Sequence, residues 1–224
     1  MKITILASGS DGNCAILEDN CKQQLILDCG VKYDKIAPYI NWGDCSCFIS
    51  HKHKDHYNEQ TIEKLKMFGL DVLSESNLTI GKPIQKNGYN ILPIRLPHCD
   101  ECDSIALLIY NLPEKKSMFF ATDCTKLPNI VDKPFDLFMI ENNYDEETAF
   151  ANSLRSARHN IGHTHHLSTE YVVKWISKRQ TKVKNLILSH LSNSGNIDIG
   201  SLTAKYAKCA ELVYVAKPNL TVQF

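Results

Sequence analysis

Hydrophobic positions along the chain fall into short, punctuated runs. The segments KITILA (2–7), CAILE (14–18), QLILD (24–28), CFIS (47–50), NILPIRL (90–96), SIALLIY (104–110), SMFFAT (117–122), LFMI (137–140), NLILSH (185–190) and ELVYVA (211–216) are rich in Ile, Leu, Val and Phe and are bounded by turn residues, as β-strands are. Helical periodicity fills stretches between some of them, near 32–40, 58–68, 145–158, 168–180 and 198–210. Hairpin-spaced strands first and last, with helices interspersed, predict an α/β chain of two sheets covered by helices. No repeat, low-complexity tract or composition shift marks a linker, so residues 1–224 are expected to form a single domain.

The residue that follows an apolar run carries more than the run itself. LILD ends at Asp28, CFIS leads to His51, ILPIRLP to His98, MFFAT to Asp123, LFMI to Glu141 and LILS to His190. Polar residues mark strand exits in any protein, yet every one of these ends bears Asp, Glu or His. Neighbouring strands would gather such residues at one pole, where a rigid scaffold presents its functional loops.

Densest of all is HKHKDH, which packs His51, His53, Asp55 and His56 behind a strand. In an extended segment His51 and His53 face one side and can hold one ion, with Asp55 and His56 near the start of the helix that follows. A zinc-class ion takes about four ligands, so this is an incomplete mononuclear site or half of a dinuclear one, completed by His98, Asp123 and His190. Imidazole and carboxylate donors without thiolate suit Zn and permit Mn or Fe.

HKHKDH resembles the H-x-H-x-D-H motif of the metallo-β-lactamase fold, and Asp28 in LILDCG, His98, Asp123 in ATDCT and His190 in LSHLS match its further motifs in order, from near residue 3 to about 192. The resemblance implies a four-layer αββα sandwich with two divalent ions. His51, His53 and His98 would bind one, Asp55, His56 and His190 the other, and Asp123 would bridge them. Asp28 would order the His loop without being a ligand, in keeping with the carboxylate partners that ligating imidazoles usually have. LASGSDGNC and LFMIENNYDEE are similar to stretches of the YycJ/WalJ-like exonuclease branch, and GHTHHLSTE places His166 in a setting like that of nucleic-acid-processing members, where a glutamate, here Glu141, pairs with the histidine near the scissile phosphate. Extra imidazoles at His163 and His165 leave that register open, and His159 reads as an exposed helix-end residue.

That resemblance implies a dinuclear phosphodiester hydrolase, a DNA exonuclease or other nuclease using a metal-bridging hydroxide, with Asp55, Glu141 and His166 catalytic and Ser10, Asn13 and Asn143 binding substrate. Its partner would be nucleic acid, single-stranded or end-containing DNA foremost. Three departures bear on substrate preference: Tyr144 replaces a histidine of the branch, Cys99 follows His98 where an aspartate is common, and the chain is shorter than typical members. A small-molecule metallohydrolase, either a cyclic-nucleotide phosphodiesterase or a lactonase, is the rival reading, and a non-catalytic, metal-stabilised binding module a third.

Bulk properties change this little. With 25 basic and 25 acidic side chains the formal net charge is zero, which gives no support to unspecific nucleic-acid binding. The one concentrated basic run, Lys174 to Lys184, suits a solvated helix face or a nucleic-acid backbone. Nine scattered cysteines and no signal-peptide pattern lead us to expect reduced thiols, a cytoplasmic setting and no membrane partner. A lone C-x-x-C, Cys99 and Cys102, is a weak motif, and the Gly-rich turn SGSDGN suits a hairpin as well as a phosphate cradle.

Overall fold

The structure, a computed structural model, describes residues 1–99, 102–153, 165–192 and 198–224, without the side chains of 150–153. Two sheets face each other. The first has the order β13-β1-β2-β3-β4-β5, built from β1 (Lys2–Ala7), β2 (Cys14–Glu18), β3 (Gln24–Leu27), β4 (Cys45–Phe48), β5 (Asp71–Leu73) and β13 (Thr221–Gln223). The second, β12-β11-β10-β9-β8-β7-β6, contains β6 (Ile84–Lys86), β7 (Tyr89–Leu96), β8 (Ser104–Asn111), β9 (Lys116–Ala121), β10 (Leu137–Glu141), β11 (Val183–Ser189) and β12 (Ala210–Val215).

Apolar patterning dictates the layers. The two sheets share one core, in which Ile3, Ile5 and Leu27 of the first meet Leu107, Phe120 and Met139 of the second, and Phe48 packs edge-on against Phe120 at 6.2 Å. On the outer face of the first sheet lie α1 (Tyr33–Ile36) and α2 (Glu59–Met67), which bury Ile36, Ile62 and Leu65. Val172 and Ile176 of α4 (Thr169–Ser177) and Leu202 and Tyr206 of α5 (Ile199–Tyr206) cover the second sheet, and α3 (Glu146–Ser153) precedes α4. The expected αββα order is thus present. Strand β10 is buried along its whole length because it lies between two parallel neighbours with a layer on each face, which explains why LFMI reads as an unbroken apolar run.

Helix ends follow local chemistry. Asn58, Ser168 and Asp198 cap α2, α4 and α5 by accepting the backbone N–H of Thr61, Tyr171 and Ser201. The helix expected over 32–40 stops at Ile36 and continues as a 3-10 turn, Ala37–Tyr39, because Pro38 lacks the N–H that would bond back to Asp34. Of the stretch expected at 145–158, residues 154–158 lie outside the described residues.

Three differences from the sequence reading stand out. Strands β5, β6 and β13 are three residues each, too short for a period to register, and all are edge strands paired on one side. The last long strands, β11 and β12, are not a hairpin but a parallel pair joined through α5. Strand β4 ends at Phe48, two residues short of the expected end, since the Ser50 N–H donates to Asp28 Oδ1 at 2.7 Å instead of continuing the ladder.

Topology fixes where the strand ends point. Strands β3 and β4 are parallel, β9, β10 and β11 are parallel, and β7 is antiparallel to β8, which is antiparallel to β9. Within each sheet the C-terminal ends that carry Asp28 and His51, or His98, Asp123, Glu141 and His190, therefore lie along one edge.

Candidate metal centre

The residue after each strand is held by its own backbone and by its neighbours. Asp28, Asp123 and His190 adopt positive φ values of 60°, 36° and 55°, a left-handed conformation uncommon outside glycine that concentrates at functional sites. Asp28 accepts the Ser50 N–H, the Ser50 hydroxyl at 3.0 Å and His56 Nδ1 at 2.7 Å, which ties it to the His loop. The chain turns after His53: the N–H groups of His56 and Tyr57 both donate to the His53 carbonyl, at 2.9 and 2.8 Å. That reversal brings Asp55 and His56 back beside His51.

Two groups of potential ligands result, each with its donor atoms mutually within 4.8 Å: His51, His53, His98 and Asp123, and Asp55, His56, Asp123 and His190. Asp123 belongs to both. Its Oδ2 lies 3.3 Å from His56 Nε2, 3.8 Å from His51 Nε2 and 4.0 Å from His98 Nε2, and its Oδ1 lies 3.6 Å from His190. Asp55 Oδ2 is 3.0 Å from His190 Nε2 and 3.3 Å from His56 Nε2.

Outer partners select which ring nitrogen faces inward. His56 points Nδ1 at Asp28, His51 points Nδ1 at the Ser50 hydroxyl 3.0 Å away, and His98 Nδ1 donates to the His165 carbonyl at 3.0 Å. Each Nε2 is thereby turned to the centre. His51 Nε2 is buried with no hydrogen-bond partner among the described residues, a costly arrangement for a polar atom unless something else occupies its lone pair. That orphaned nitrogen and the all N/O donor set fit divalent metal ions.

Electrostatics point the same way. Burial, together with the neighbouring His56, pushes His51 down to about 2. At His56 burial opposes the charge, yet the carboxylates of Asp123 and Asp28 outweigh it and hold its pKa well above the usual histidine range. His190 is likewise raised, to about 10, by Asp123, Asp55 and Glu141 in spite of its burial. Asp123 is held well below the ordinary carboxylate range because His56 and His190 outweigh the cost of burying it.

A third group adjoins these two. Glu141, fully buried, forms a short ion pair with His166 Nδ1 and accepts the Cys124 N–H at 3.0 Å, so its orientation is fixed at both oxygens. The His166 ring stacks on His190 at 5.2 Å. Of the histidines left open by sequence, His166 therefore meets Glu141, His165 supplies a backbone carbonyl, and His159 and His163 lie outside the described residues.

The expected substrate-binding residues divide. The Asn13 side chain reaches Asp55 Oδ2 at 3.3 Å and His56 Nε2 at 3.0 Å, and Asn143 holds the His190 carbonyl at 3.0 Å; both are buried supports of the cluster. Ser10 is exposed at its turn, and Ser8 is the hydroxyl that accepts the His190 N–H, at 2.9 Å. In the Gly-rich turn the Gly9 and Gly12 N–H groups are spent on Asn13 Oδ1 and the Gly9 carbonyl. Of the basic run, Arg179 and Lys184 bind Asp132 and Asp136. Sequence reading missed Ser8 and Ser50; a hydroxyl directly preceding His51 was the available signal for the second.

The fold and this bipartite cluster define a class: the chain has the metallo-β-lactamase fold. It superposes on the metallo-β-lactamase fold protein YhfI from Bacillus subtilis with a TM-score of 0.73 and 14% identity, over 99% of this chain and 98% of that one. Human tRNase Z, short form, matches with a TM-score of 0.65 and 13% identity over 100% and 99% of the two chains. In sequence the chain is 27% identical over 230 residues to the exodeoxyribonuclease WalJ of Streptococcus pneumoniae, covering 88% of this chain and 83% of WalJ. No family model matches. No helix among the described residues is long and apolar enough to cross a membrane.

Proposed function

We propose that the chain is a metal-dependent hydrolase of phosphodiester bonds, acting on nucleic acid and foremost as a DNA exonuclease. The observation that carries this reading is the pair of buried Glu141 and half-buried His166, whose ring stacks against His190 of the cluster. A carboxylate that fixes an imidazole and favours its cationic form readies it to bind phosphate oxygens or to protonate a leaving oxygen, for which lactam or thioester cleavage has less need. Although burial disfavours the charge, the Glu141 carboxylate raises the His166 pKa above the usual histidine value, which favours the protonated ring. The likeness to WalJ, an exodeoxyribonuclease by name, supports the same substrate class.

His51, His53, His98 and Asp123 would hold one ion, and Asp55, His56, His190 and the shared Asp123 the second, with Zn the first expectation and Mn or Fe compatible with the donors. When bound, such ions activate water as a nucleophile at neutral pH and stabilise charge on the phosphoryl oxygens. The chain's own residues do the rest. Asp28 and Ser50 aim the imidazoles, Asn13 and Asn143 fix the two loops, and His166 donates its proton to the leaving oxygen.

The test is incubation of Mn- or Zn-loaded protein with end-labelled single- and double-stranded DNA and RNA. Asp55→Ala is expected to abolish turnover, and His166→Ala to lower kcat by about 10²–10⁴-fold. Hydrolysis confined to a small diester or lactone, with every polymer left intact, would overturn the nuclease reading while keeping the metal site.

A further inference from the structure

Beside the central cluster lies a group of donors, His53 with Cys99 and Cys102, whose two thiols and outer imidazole nitrogen the hydrolytic reading does not use. His53 Nδ1 faces inward, 3.2 Å from His98 Nε2. The ring therefore points Nε2 outward, where Cys102 Sγ lies 3.5 Å away and Cys99 Sγ 3.9 Å. The two sulfurs are 3.5 Å apart, so they are reduced thiols, and the Cys99 N–H donates to the Cys102 carbonyl at 3.1 Å. All three side chains are partly exposed, within reach of an ion from solvent.

These separations have a chemical meaning. Two thiolates at about 2.3 Å and an imidazole at about 2.0–2.1 Å from a tetrahedral ion stand about 3.8 Å apart sulfur to sulfur and about 3.6 Å sulfur to nitrogen. The observed triangle of 3.5, 3.5 and 3.9 Å fits those edges to within about 0.4 Å. We propose that Cys99 Sγ, Cys102 Sγ and His53 Nε2 form a third metal site, selective for thiophilic ions such as Zn²⁺, Cd²⁺ or Cu⁺, and joined to the central cluster through the His53 ring. Selectivity follows from the donors: the central groups offer only nitrogen and oxygen, whereas two thiolates favour soft ions. On binding, each thiol releases its proton to solvent and the two thiolates balance a divalent ion; where Nδ1 also holds a central ion, His53 releases its remaining N–H proton too and bridges the two ions as an imidazolate. Among the described residues the site has three protein donors, one short of a tetrahedral set. The inference shares His53 with the central cluster but does not depend on what the enzyme hydrolyses.

The experiment is a Cd²⁺ titration of the reduced, metal-free protein, followed by thiolate-to-metal ultraviolet absorption and by metal content after gel filtration. Wild type is expected to show a thiolate band and one ion more per chain than a Cys99→Ser/Cys102→Ser variant, which loses the band and keeps the ions of the central cluster. His53→Ala is expected to weaken the band at a given Cd²⁺ concentration. A band of equal strength in the double serine variant would place the sulfur ligands elsewhere among the nine cysteines and overturn the proposal. So would saturation of wild type with no thiolate band. Wild type that binds no ion at all would overturn the central site as well, which separates the two failures.

Discussion

At the scale of single residues, protons compete with metal for part of the centre. His56 and His190 both titrate above the ordinary histidine value, because the carboxylates around them outweigh burial. A ligand nitrogen must give up its proton to an ion, so loading releases protons and is opposed by acid. Raised values place that competition across neutral pH: apparent affinity for Zn²⁺ is expected to climb steadily from about pH 6 to about pH 9, with measurable proton release in weakly buffered solution. Affinity independent of pH over that range would show that these imidazoles are not the ligands. Sequence already exposed every member of the cluster, since Asp, Glu and His at strand ends are visible one by one. What it could not reveal is which nitrogen of each ring faces inward, because that depends on Ser50, Asp28 and the His165 carbonyl, partners brought in from other parts of the chain.

Elements supply the positions through close backbone packing. The turn after β3 passes so near the His loop that a Cβ on Gly30 would stand 1.8 Å from the Asp55 carbonyl oxygen, well inside contact distance. Gly30→Ala should force Asp55 and His56 outward, lower stability by about 1–3 kcal/mol as overpacking does, and reduce the metal bound per chain. Urea unfolding and metal analysis check this together, and wild-type values in both would refute the packing argument. Strands of four or more residues were legible from their apolar runs. The three edge strands were not, since three residues display no alternation and their pairing is decided by the neighbour they reach. The hairpin spacing read for the last strands was wrong for β11 and β12, although the helical periodicity at 198–210 already marked the crossover that makes them parallel.

Across the whole molecule stability resides in the seam between the sheets. Phe120 is buried there against Phe48 of the opposite sheet, so Phe120→Ala is expected to cost about 3–5 kcal/mol, read as a shift in the urea midpoint. A change below about 1 kcal/mol would mean that the seam closes around the gap. The αββα order itself was within reach of the sequence, through alternating strands and helices and the run of matching motifs. The Cys99–Cys102–His53 contact was not, because a lone C-x-x-C gives no hint of the imidazole it will meet.

The same seam ends at the metal cluster, and the cluster draws on both of its sides. Asp55 and His56 follow a strand of the first sheet, His98, Asp123 and His190 follow strands of the second, and Asp123 joins the two groups. An ion held there is a rivet through both halves of the sandwich. Its free energy of binding opposes separation of the sheets, so a cell short of metal would lose the protein's mechanical closure along with its chemistry.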